Sequence, residues 1–291
     1  MLVKSKRGWE LPDSAATDES VFLQRRQLVK AMAVGPILLA GSVPFAAAAA
    51  TDSEDPSTGL YPVGRNDRYK LDRPISDEKL VKTYNNFYEF GSHKKIHKAA
   101  QQLSIRPWEV VIDGLVENER KVAIDDLLAA MPLEERLYRH RCVERWSMAV
   151  PWSGFAFKSL VDYAKPLGSA KYVAMETLAD PDSMPGLKQF WYPWPYVEGL
   201  TMAEATNELA FLVTGVYGKP VVKQMGAPLR LAVPWKYGFK AIKSIVRFTF
   251  TDKRPVSFWE KLQPREYGFW ANVNPEVPHP RWSQAVEHEI D

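Results

Sequence analysis

A chain of 291 residues with 46% hydrophobic and 12% aromatic residues carries ample material for a packed core, which argues against a disordered protein. The formal net charge is +3, and beyond residue 50 the chain holds 32 basic and 31 acidic residues. This nearly neutral body argues against binding of nucleic acid through a strongly basic face.

The first 50 residues predict an export signal. Arg25 and Arg26 open the run RRQLVK, and residues 31–50 carry no charge and end in five alanines. A twin arginine, a moderately apolar segment and an alanine-rich cleavage region are typical of a bacterial twin-arginine signal. A membrane anchor of about 20 residues is the alternative, disfavoured because glycines, prolines and alanines make the segment weakly hydrophobic. We expect the twin-arginine machinery to export the folded protein to the periplasm.

The remaining chain predicts an extended arm, residues 51–80, on a single domain, residues 81–291. The arm is rich in Pro, Gly, Asp and Arg and shows no clean period. Two short helices are expected, IDDLLAAM with Asp125 as N-cap and FAFKSLVDYAK, and a third begins at TMAEAT with the capping box Thr201 and Glu204. Strand-like runs are WEVVIDGLVEN (read as paired strands), LYRHRCVERW, AKYVAMETLAD, ELAFLVTGVYG, PLRLAVPWKYGF and AIKSIVRFTFTDKR. This mixture, without regular βαβ repetition, predicts an α+β fold.

Cys142 is the single cysteine of the chain and lies in the run YRHRCVERWSM. In the periplasm an exposed thiol would be oxidised, so we expect Cys142 to be buried or bound. A small buried hydrophobe is one interpretation. The other is a thiolate, a nucleophile or soft metal ligand, whose pKa should be lowered by neighbouring cations: Arg139, His140, Arg141 and Arg145.

An extended conformation around the cysteine would place alternate residues on one face. The residues brought together in this way are His140, Cys142, Glu144 and Trp146. The sequence leaves His93, His97, His140 and His279 open as bases for a cysteine nucleophile, although no protease signature surrounds Cys142. A structural zinc site is disfavoured by spacing. His93 and His97 stand among lysines, and we interpret them as part of a basic, solvated helix face.

The stretch from Gly226 to Val246 is the second candidate for a binding site. Cations alternate there with aromatic residues, with glycines at the turns: Arg230, Lys236, Lys240 and Lys243 with Trp235, Tyr237 and Phe239. Arginine guanidinium groups bind phosphate with two parallel hydrogen bonds, and backbone N–H groups near glycine can bind it as well. An ordinary amphipathic hairpin is the alternative. In an exported protein we expect the phosphate to belong to a tightly held cofactor.

Three stretches, RPWEVVIDGLV, RCVERWSMAVPWSGF and GAPLRLAVPWKYGFKAIKSIV, resemble the sulfite-oxidase fold family of mononuclear molybdenum enzymes. The twin-arginine signal, YNNFYEFGSHK, YRHRCVERWSM, METLAD and FWYPWPY more narrowly resemble the catalytic subunits of periplasmic protein-methionine-sulfoxide reductases. The resemblance covers nearly the whole mature chain. It implies a sulfite-oxidase-type fold of mixed β-sheets and short helices that binds molybdenum-molybdopterin.

The resemblance also implies roles for single residues. Cys142 would ligate the molybdenum. Our own hypothesis is that Glu144 and Asn86 lie beside the metal, where they would position substrate or deliver protons. Pterin contacts are implied for Asn85, Tyr88, Glu89, Thr177, Met225, Arg230, Ala241, Ile242 and Lys243. The family usually has Asn where this chain has Met225, a departure that is harmless only if the contact uses backbone atoms.

The activity implied by the resemblance is reduction of methionine sulfoxide in oxidised periplasmic proteins by oxygen-atom transfer. Electrons must come from outside, because the chain has no haem-attachment CxxCH, iron–sulfur cysteine set or dinucleotide fingerprint. The resemblance implies a membrane-embedded haem protein as the donor. Two alternatives stay open. One is a sulfite dehydrogenase with the same fold, which cations in the substrate pocket would indicate; the other is a non-enzymatic exported binding protein.

Overall fold

Two β-sheets form the framework of residues 55–291, the part of the chain that this computed structural model describes. The strands are β1 (Glu109–Gly114), β2 (Arg120–Ala123), β3 (Glu134–Cys142), β4 (Trp146–Ala156), β5 (Tyr172–Thr177), β6 (Val197–Thr201), β7 (Phe211–Val216), β8 (Lys219–Pro220), β9 (Arg230–Ala232), β10 (Ile245–Thr251) and β11 (His288–Glu289). The α-helices are α1 (Glu78–Thr83), α2 (Ile124–Ala129), α3 (Phe157–Ala164), α4 (Met202–Ala205) and α5 (Phe258–Leu262). Single turns of 3₁₀-helix cover Pro56–Leu60, Ala99–Gln102, Pro185–Lys188, Lys223–Met225 and Gly238–Lys240.

The first sheet has the strand order β2-β1-β10-β5-β6. Only β1 and β10 run parallel; the other neighbours are antiparallel. Alternate residues of these strands, such as Val110 and Ile112 in β1 and Val173 and Met175 in β5, are buried in the main core. The period-two pattern arises because only one face of this sheet packs on the core.

The second sheet has the order β11-β4-β7-β8, with β3 also paired to β4 and β9 to β7. Strand β4 is buried over all but its last residue, because it lies centrally and is covered on both faces. At Gly154 the register of β4 against β7 shifts, and an added Cβ would lie 2.0 Å from the carbonyl oxygen of Leu212. Glycine is therefore required at this close approach of two backbones. Together the sheets and short helices confirm the α+β prediction.

The helix predictions are confirmed for α3 and α4 and corrected for α2. Thr201 and Glu204 form the predicted capping box at the start of α4. Helix α2 begins at Ile124 with Ala123 as the N-cap, so the prediction of Asp125 as the cap is wrong. The helix starts earlier because Ile124 is fully buried, and Asp125 instead pairs with Arg106 at 2.9 Å from within the first turn.

Two of the strand-like runs contain less strand than expected. WEVVIDGLVEN holds β1 alone, because Gly114, with φ of +82°, ends the strand and β2 begins only at Arg120. In PLRLAVPWKYGF only Arg230–Ala232 is strand, and the chain then turns into the 3₁₀-helix Gly238–Lys240. Pro234 lacks the N–H that continued pairing needs, which explains the break.

Residues 55–80 lie along the second sheet. Tyr61 donates a hydrogen bond to Thr214 Oγ1 at 2.7 Å, the Asn66 N–H donates to Glu135 O at 2.8 Å, and the Ser76 N–H donates to Ala149 O at 3.0 Å. The predicted export signal, residues 1–50, lies outside the described residues. From residue 55 onward, no helix is both long and apolar enough to cross a membrane.

Two buried ion pairs connect the segment before β10 to strand β6 and helix α4. Lys240 Nζ lies 2.8 Å from Glu198 Oε2 in β6, and both side chains are fully buried. Lys236 Nζ lies 2.5 Å from Glu204 Oε1 in α4. These contacts hold the 236–243 segment in place, and this segment forms one wall of the site described next.

Candidate active site

A cavity of about 580 Å³ opens beside the end of β3. Its wall combines the 84–89 segment, the turn after β3, the 225–243 segment and the aromatic run 191–196. Its mouth is marked by lining residues that remain partly in solvent: Glu144, Trp191 and Arg281. The size suits a cofactor or small ligand.

Cys142 is the last residue of β3 and pairs with Trp146, the first residue of β4. Between them the chain makes a tight turn, in which Arg145 has φ of +67° and its N–H donates to Cys142 O at 3.0 Å. His140, Cys142, Glu144 and Trp146 all line the cavity, as predicted. The turn, rather than a continuous strand, places Glu144 there.

Cys142 is a free thiol and is 6% exposed, which confirms that it is buried. Burial and then Glu144 raise the pKa of the Cys142 thiol to about 12, so the predicted lowering by nearby arginines is wrong. The odd-numbered residues of β3 face away from the cavity, where Arg139 and Arg141 pair with Glu287. The cations that do act on the thiol are Lys94 and Lys243.

A polar network joins Cys142 to the mouth of the cavity. Asn86 Nδ2 lies 3.7 Å from Cys142 Sγ and 3.4 Å from Glu144 Oε2. Lys94 Nζ lies 2.6 Å from Asn86 Oδ1 and 2.5 Å from Glu144 Oε2. Trp146 Nε1 donates to the same Glu144 oxygen at 2.9 Å. Burial alone raises the pKa of Glu144, but the hydrogen bonds from Lys94 and Trp146 hold it below its ordinary value.

Lys94 is the site residue that sequence reasoning missed. The predicted basic helix around His93 and His97 is wrong, since residues 92–98 form bends and turns before Ala99–Gln102. Nothing in the sequence signals the contact, because Lys94 and Glu144 are brought together only by the tertiary fold. Of the four histidines considered as bases, only His140 lines the cavity. Within residues 55–291, no group of three or more His, Cys, Asp or Glu side chains is placed to hold a metal ion.

The inner part of the cavity is cationic. Arg230 is buried and packs over the Trp152 ring at 4.8 Å, and its Nη2 atom has no hydrogen-bond partner among the described residues. Burial lowers the pKa of Arg230 to about 9 and also lowers the pKa of Lys243. Burial, Arg230 and Lys243 together lower the pKa of His140 to about 3. An unpartnered guanidinium nitrogen beside a second cation fits a bound anionic group such as a phosphate.

Met225 contributes through its backbone. Its carbonyl oxygen accepts a hydrogen bond of 2.7 Å from Arg230 Nη1, which orients the guanidinium. The adjacent Gly226 has φ of +104°, and a Cβ there would lie 2.7 Å from Lys243 Cβ. The backbone contact explains how Met225 is accommodated, because any residue at 225 offers the same oxygen to Arg230.

The other predicted pterin-contact positions converge on the same cavity, with one exception. Thr177 Oγ1 donates to Lys243 O at 2.8 Å, and burial raises the pKa of Glu89. Ala241 is buried but does not line the cavity. The positions that line it are Asn85, Tyr88, Glu89, Thr177, Met225, Arg230, Ile242 and Lys243. Their roles toward a pterin stay predictions.

This donor set fits a molybdenum-pterin group. A single buried sulfur is the soft donor that such a metal requires, and Arg230 and Lys243 provide for a phosphate within the same cavity. Aromatic side chains form much of the remaining wall and would exclude water from the group: Tyr84, Tyr88, Trp152, Tyr196, Trp259 and Tyr267.

Comparison with known proteins agrees with the site. Residues 97–259 match the family described as the oxidoreductase molybdopterin binding domain. The chain is 47% identical over 282 residues to the protein-methionine-sulfoxide reductase catalytic subunit MsrP of Xanthomonas axonopodis pv. citri, covering 96% of this chain and 86% of the relative. It is 46% identical over 280 residues to the protein of the same name from Xanthomonas campestris pv. campestris, with the same coverage.

Among solved structures, the sulfane dehydrogenase SoxCD from Paracoccus pantotrophus matches with a TM-score of 0.50 and 17% identity, covering 84% of this chain and 67% of that one. At this identity the match shows the fold alone, and it agrees with the expected arrangement of mixed sheets and few helices. The family match and the two relatives show the family as well as the fold, because together they span nearly the whole chain. The chain belongs to the oxidoreductases with a molybdopterin binding domain, in the family of the protein-methionine-sulfoxide reductase catalytic subunits.

Proposed function

We propose that this protein reduces methionine sulfoxide in oxidised proteins to methionine, with molybdenum-molybdopterin as its cofactor. The observation that carries the proposal is the Cys142 thiol opening into a cavity that is also lined by Arg230, whose Nη2 atom has no hydrogen-bond partner among the described residues. The cofactor supplies two-electron oxygen-atom transfer, so the sulfoxide gains two electrons and two protons and leaves as methionine and water. Reduction restores an apolar side chain where oxidation left a polar one.

The residues of the chain divide into two groups around the cofactor. Cys142 would bind the metal, while Arg230 and Lys243 would bind the phosphate. Glu144 and Asn86 lie beside the sulfur on the side of the mouth and would orient the sulfoxide or deliver protons. The aromatic wall excludes water and receives the apolar part of the methionine side chain.

The charges at the mouth favour a neutral sulfoxide over anionic sulfite. Lys94 is paired with Glu144 at 2.5 Å, and Arg281 is paired with Glu266 at 2.8 Å. Both of these cations are therefore already paired with carboxylates. An anionic substrate would lose more solvation there than it would gain in attraction.

We further propose a periplasmic location, reached by twin-arginine export, and an electron donor that is a membrane-embedded haem protein. The support for export is the Arg25–Arg26 pair and the uncharged segment at residues 31–50. The support for an external donor is the lack of any haem-attachment or iron–sulfur motif in this sequence. Cell fractionation of the full chain, with Arg25 and Arg26 changed to lysine as the comparison, tests the location.

The activity is tested with reduced viologen as the electron source and methionine sulfoxide as the acceptor. Wild-type protein should oxidise the dye, and Cys142→Ser should fall to the rate of the enzyme-free assay because the metal loses its soft ligand. Molybdenum content is measured for both proteins. A molybdenum-loaded wild type that leaves methionine sulfoxide unchanged but oxidises sulfite would establish the sulfite dehydrogenase alternative instead.

Arg230→Met is expected to weaken retention of the cofactor. A charge-assisted hydrogen bond contributes about 1.5–3 kcal/mol, so the cofactor should bind roughly 10- to 150-fold more weakly and the molybdenum content after extended dialysis should fall below that of the wild type. Arg68→Met, at an arginine that is 73% exposed on its side chain, is the control and should keep its metal. Arg230→Lys retains a cation and should lie between the two. Equal molybdenum content in all four proteins would remove Arg230 from the cofactor site.

A further inference from the structure

Two large aromatic side chains stand in solvent beside the mouth of the cavity. Phe190 is 89% exposed and Trp191 is 58% exposed. Water-exposed aromatic pairs of this kind are unfavourable for a soluble protein and mark interaction sites. We name Phe190 and Trp191 the rim pair.

The rim pair is continuous with the cavity. The ring centroids of Phe190 and Trp191 are 5.3 Å apart, and those of Trp191 and Tyr192 are 6.0 Å apart. Trp191 and Tyr192 line the cavity, whereas Phe190 lies outside it. A row of aromatic rings therefore leads from the surface into the reaction space.

Backbone and side-chain hydrogen bonds fix the segment that carries the rim pair to the rest of the domain. The Gly186 N–H donates to Glu89 O at 2.7 Å, which fastens the preceding 3₁₀-helix to the cavity wall. Gln189 O accepts from the Tyr192 N–H at 3.2 Å and from Trp194 Nε1 at 3.1 Å, closing a turn around the rim pair. A surface ordered before binding loses little conformational entropy when a partner docks.

The size of the cavity determines which part of the substrate contacts the rim pair. A cavity of about 580 Å³ is in the size range of small-ligand pockets, so with the cofactor bound we expect it to admit a side chain rather than a polypeptide. The sulfur of methionine sulfoxide lies two bonds beyond Cβ, so the substrate backbone must stay at the mouth. The residues that flank the sulfoxide then lie against Phe190 and Trp191.

We propose that the rim pair is a docking surface for the polypeptide on either side of the sulfoxide, and that it selects segments with apolar residues there. This inference rests on the proposed function. Methionine packs in apolar surroundings, and its oxidation to a polar sulfoxide disrupts that packing. A segment loosened in this way exposes the apolar residues next to the sulfoxide. When these residues pack against the rim pair, apolar surface of both the substrate and the enzyme is removed from water.

The test uses three acceptors with reduced viologen and the holoenzyme. These are free methionine sulfoxide and two seven-residue peptides with a central methionine sulfoxide, one flanked by Leu and Val and the other by Ser and Asn. Phe190→Ser should raise the KM for the apolar peptide about tenfold with kcat unchanged. For the polar peptide and the free amino acid it should change kcat/KM less than about twofold, because neither covers the rim pair. Phe190→Trp should retain the preference of the wild type.

Val277→Ser is the matched control, since Val277 is an apolar residue 60% exposed and outside the cavity lining. The docking proposal is overturned if Phe190→Ser matches Val277→Ser on the apolar peptide, or if it slows all three acceptors equally. It is also overturned if Phe190→Ser changes only the rate at which native membranes reduce the enzyme. The same holds if the variant changes only the self-association of the protein measured by sedimentation. Wild type that reduces none of the three acceptors rejects the proposed function and the docking surface together.

Discussion

Replacing Lys94 with methionine should lower kcat for methionine sulfoxide about 10- to 100-fold, the usual effect of removing a residue that orients a metal ligand's surroundings. The molybdenum content per chain should stay at the wild-type level, because Lys94 contacts Glu144 and Asn86 and is not one of the residues proposed to bind the phosphate. The midpoint potential of the metal should fall as well.

The physical reason is the orientation of one amide. Lys94 Nζ donates to Asn86 Oδ1, so the amide must present its Nδ2 atom toward Cys142 Sγ. A hydrogen bond to a ligating sulfur stabilises the electron-rich reduced state of the metal and raises its potential. Without Lys94 the amide is free to rotate, and Glu144 keeps only Trp146 and Asn86 as partners.

Lys95→Met is the matched control, because Lys95 is the exposed neighbour and lies outside the cavity lining. Rates are normalised to molybdenum, and the potential is followed by the electron paramagnetic resonance of the metal. Lys94→Arg retains a donor and should recover part of both quantities. A Lys94→Met protein with the kcat and potential of Lys95→Met would contradict the orienting role.

Glu198→Ala is the change with the largest expected effect on stability. It should lower the free energy of unfolding by about 3–5 kcal/mol, because it leaves the buried Lys240 ammonium without its carboxylate. Both side chains are fully buried at a separation of 2.8 Å, and the other close contact of Lys240 Nζ is the carbonyl oxygen of Phe269, 2.5 Å away. Burial raises the pKa of Glu198 to about 7, and Lys240 opposes that shift.

Urea unfolding followed by tryptophan fluorescence measures this effect. Asp162→Ala breaks the exposed pair of Lys158 and Asp162, which lies at 2.6 Å, and should cost less than about 1 kcal/mol. The double variant Glu198→Leu with Lys240→Met removes both charges and should recover most of the loss. Similar unfolding midpoints for Glu198→Ala and Asp162→Ala would show that the buried pair contributes no more than a surface pair.

Local patterns predicted the elements that depend on neighbouring residues. The apolar spacing of α3, the capping box of α4 and the strand character around Cys142 follow from side chains a few positions apart. Asp125 shows where such reasoning fails, since the burial of Ile124 decides the start of α2 and the local cap preference does not. The prediction that neighbouring arginines lower the pKa of Cys142 was wrong for a related reason. Alternation along the strand directs Arg139 and Arg141 toward Glu287 instead of toward the thiol.

Residue type and short-range order were enough to predict the class of fold and the chemistry that the motifs resemble, whereas the role of Cys142 stays a prediction. Long-range packing decided which charges meet Cys142, that Lys94 orients Asn86 and Glu144, and that Arg230 Nη2 has no partner among residues 55–291. It also placed Phe190 and Trp191 at the mouth. Each of these contacts joins segments far apart in the chain, and their distances are fixed by the packing of the whole domain.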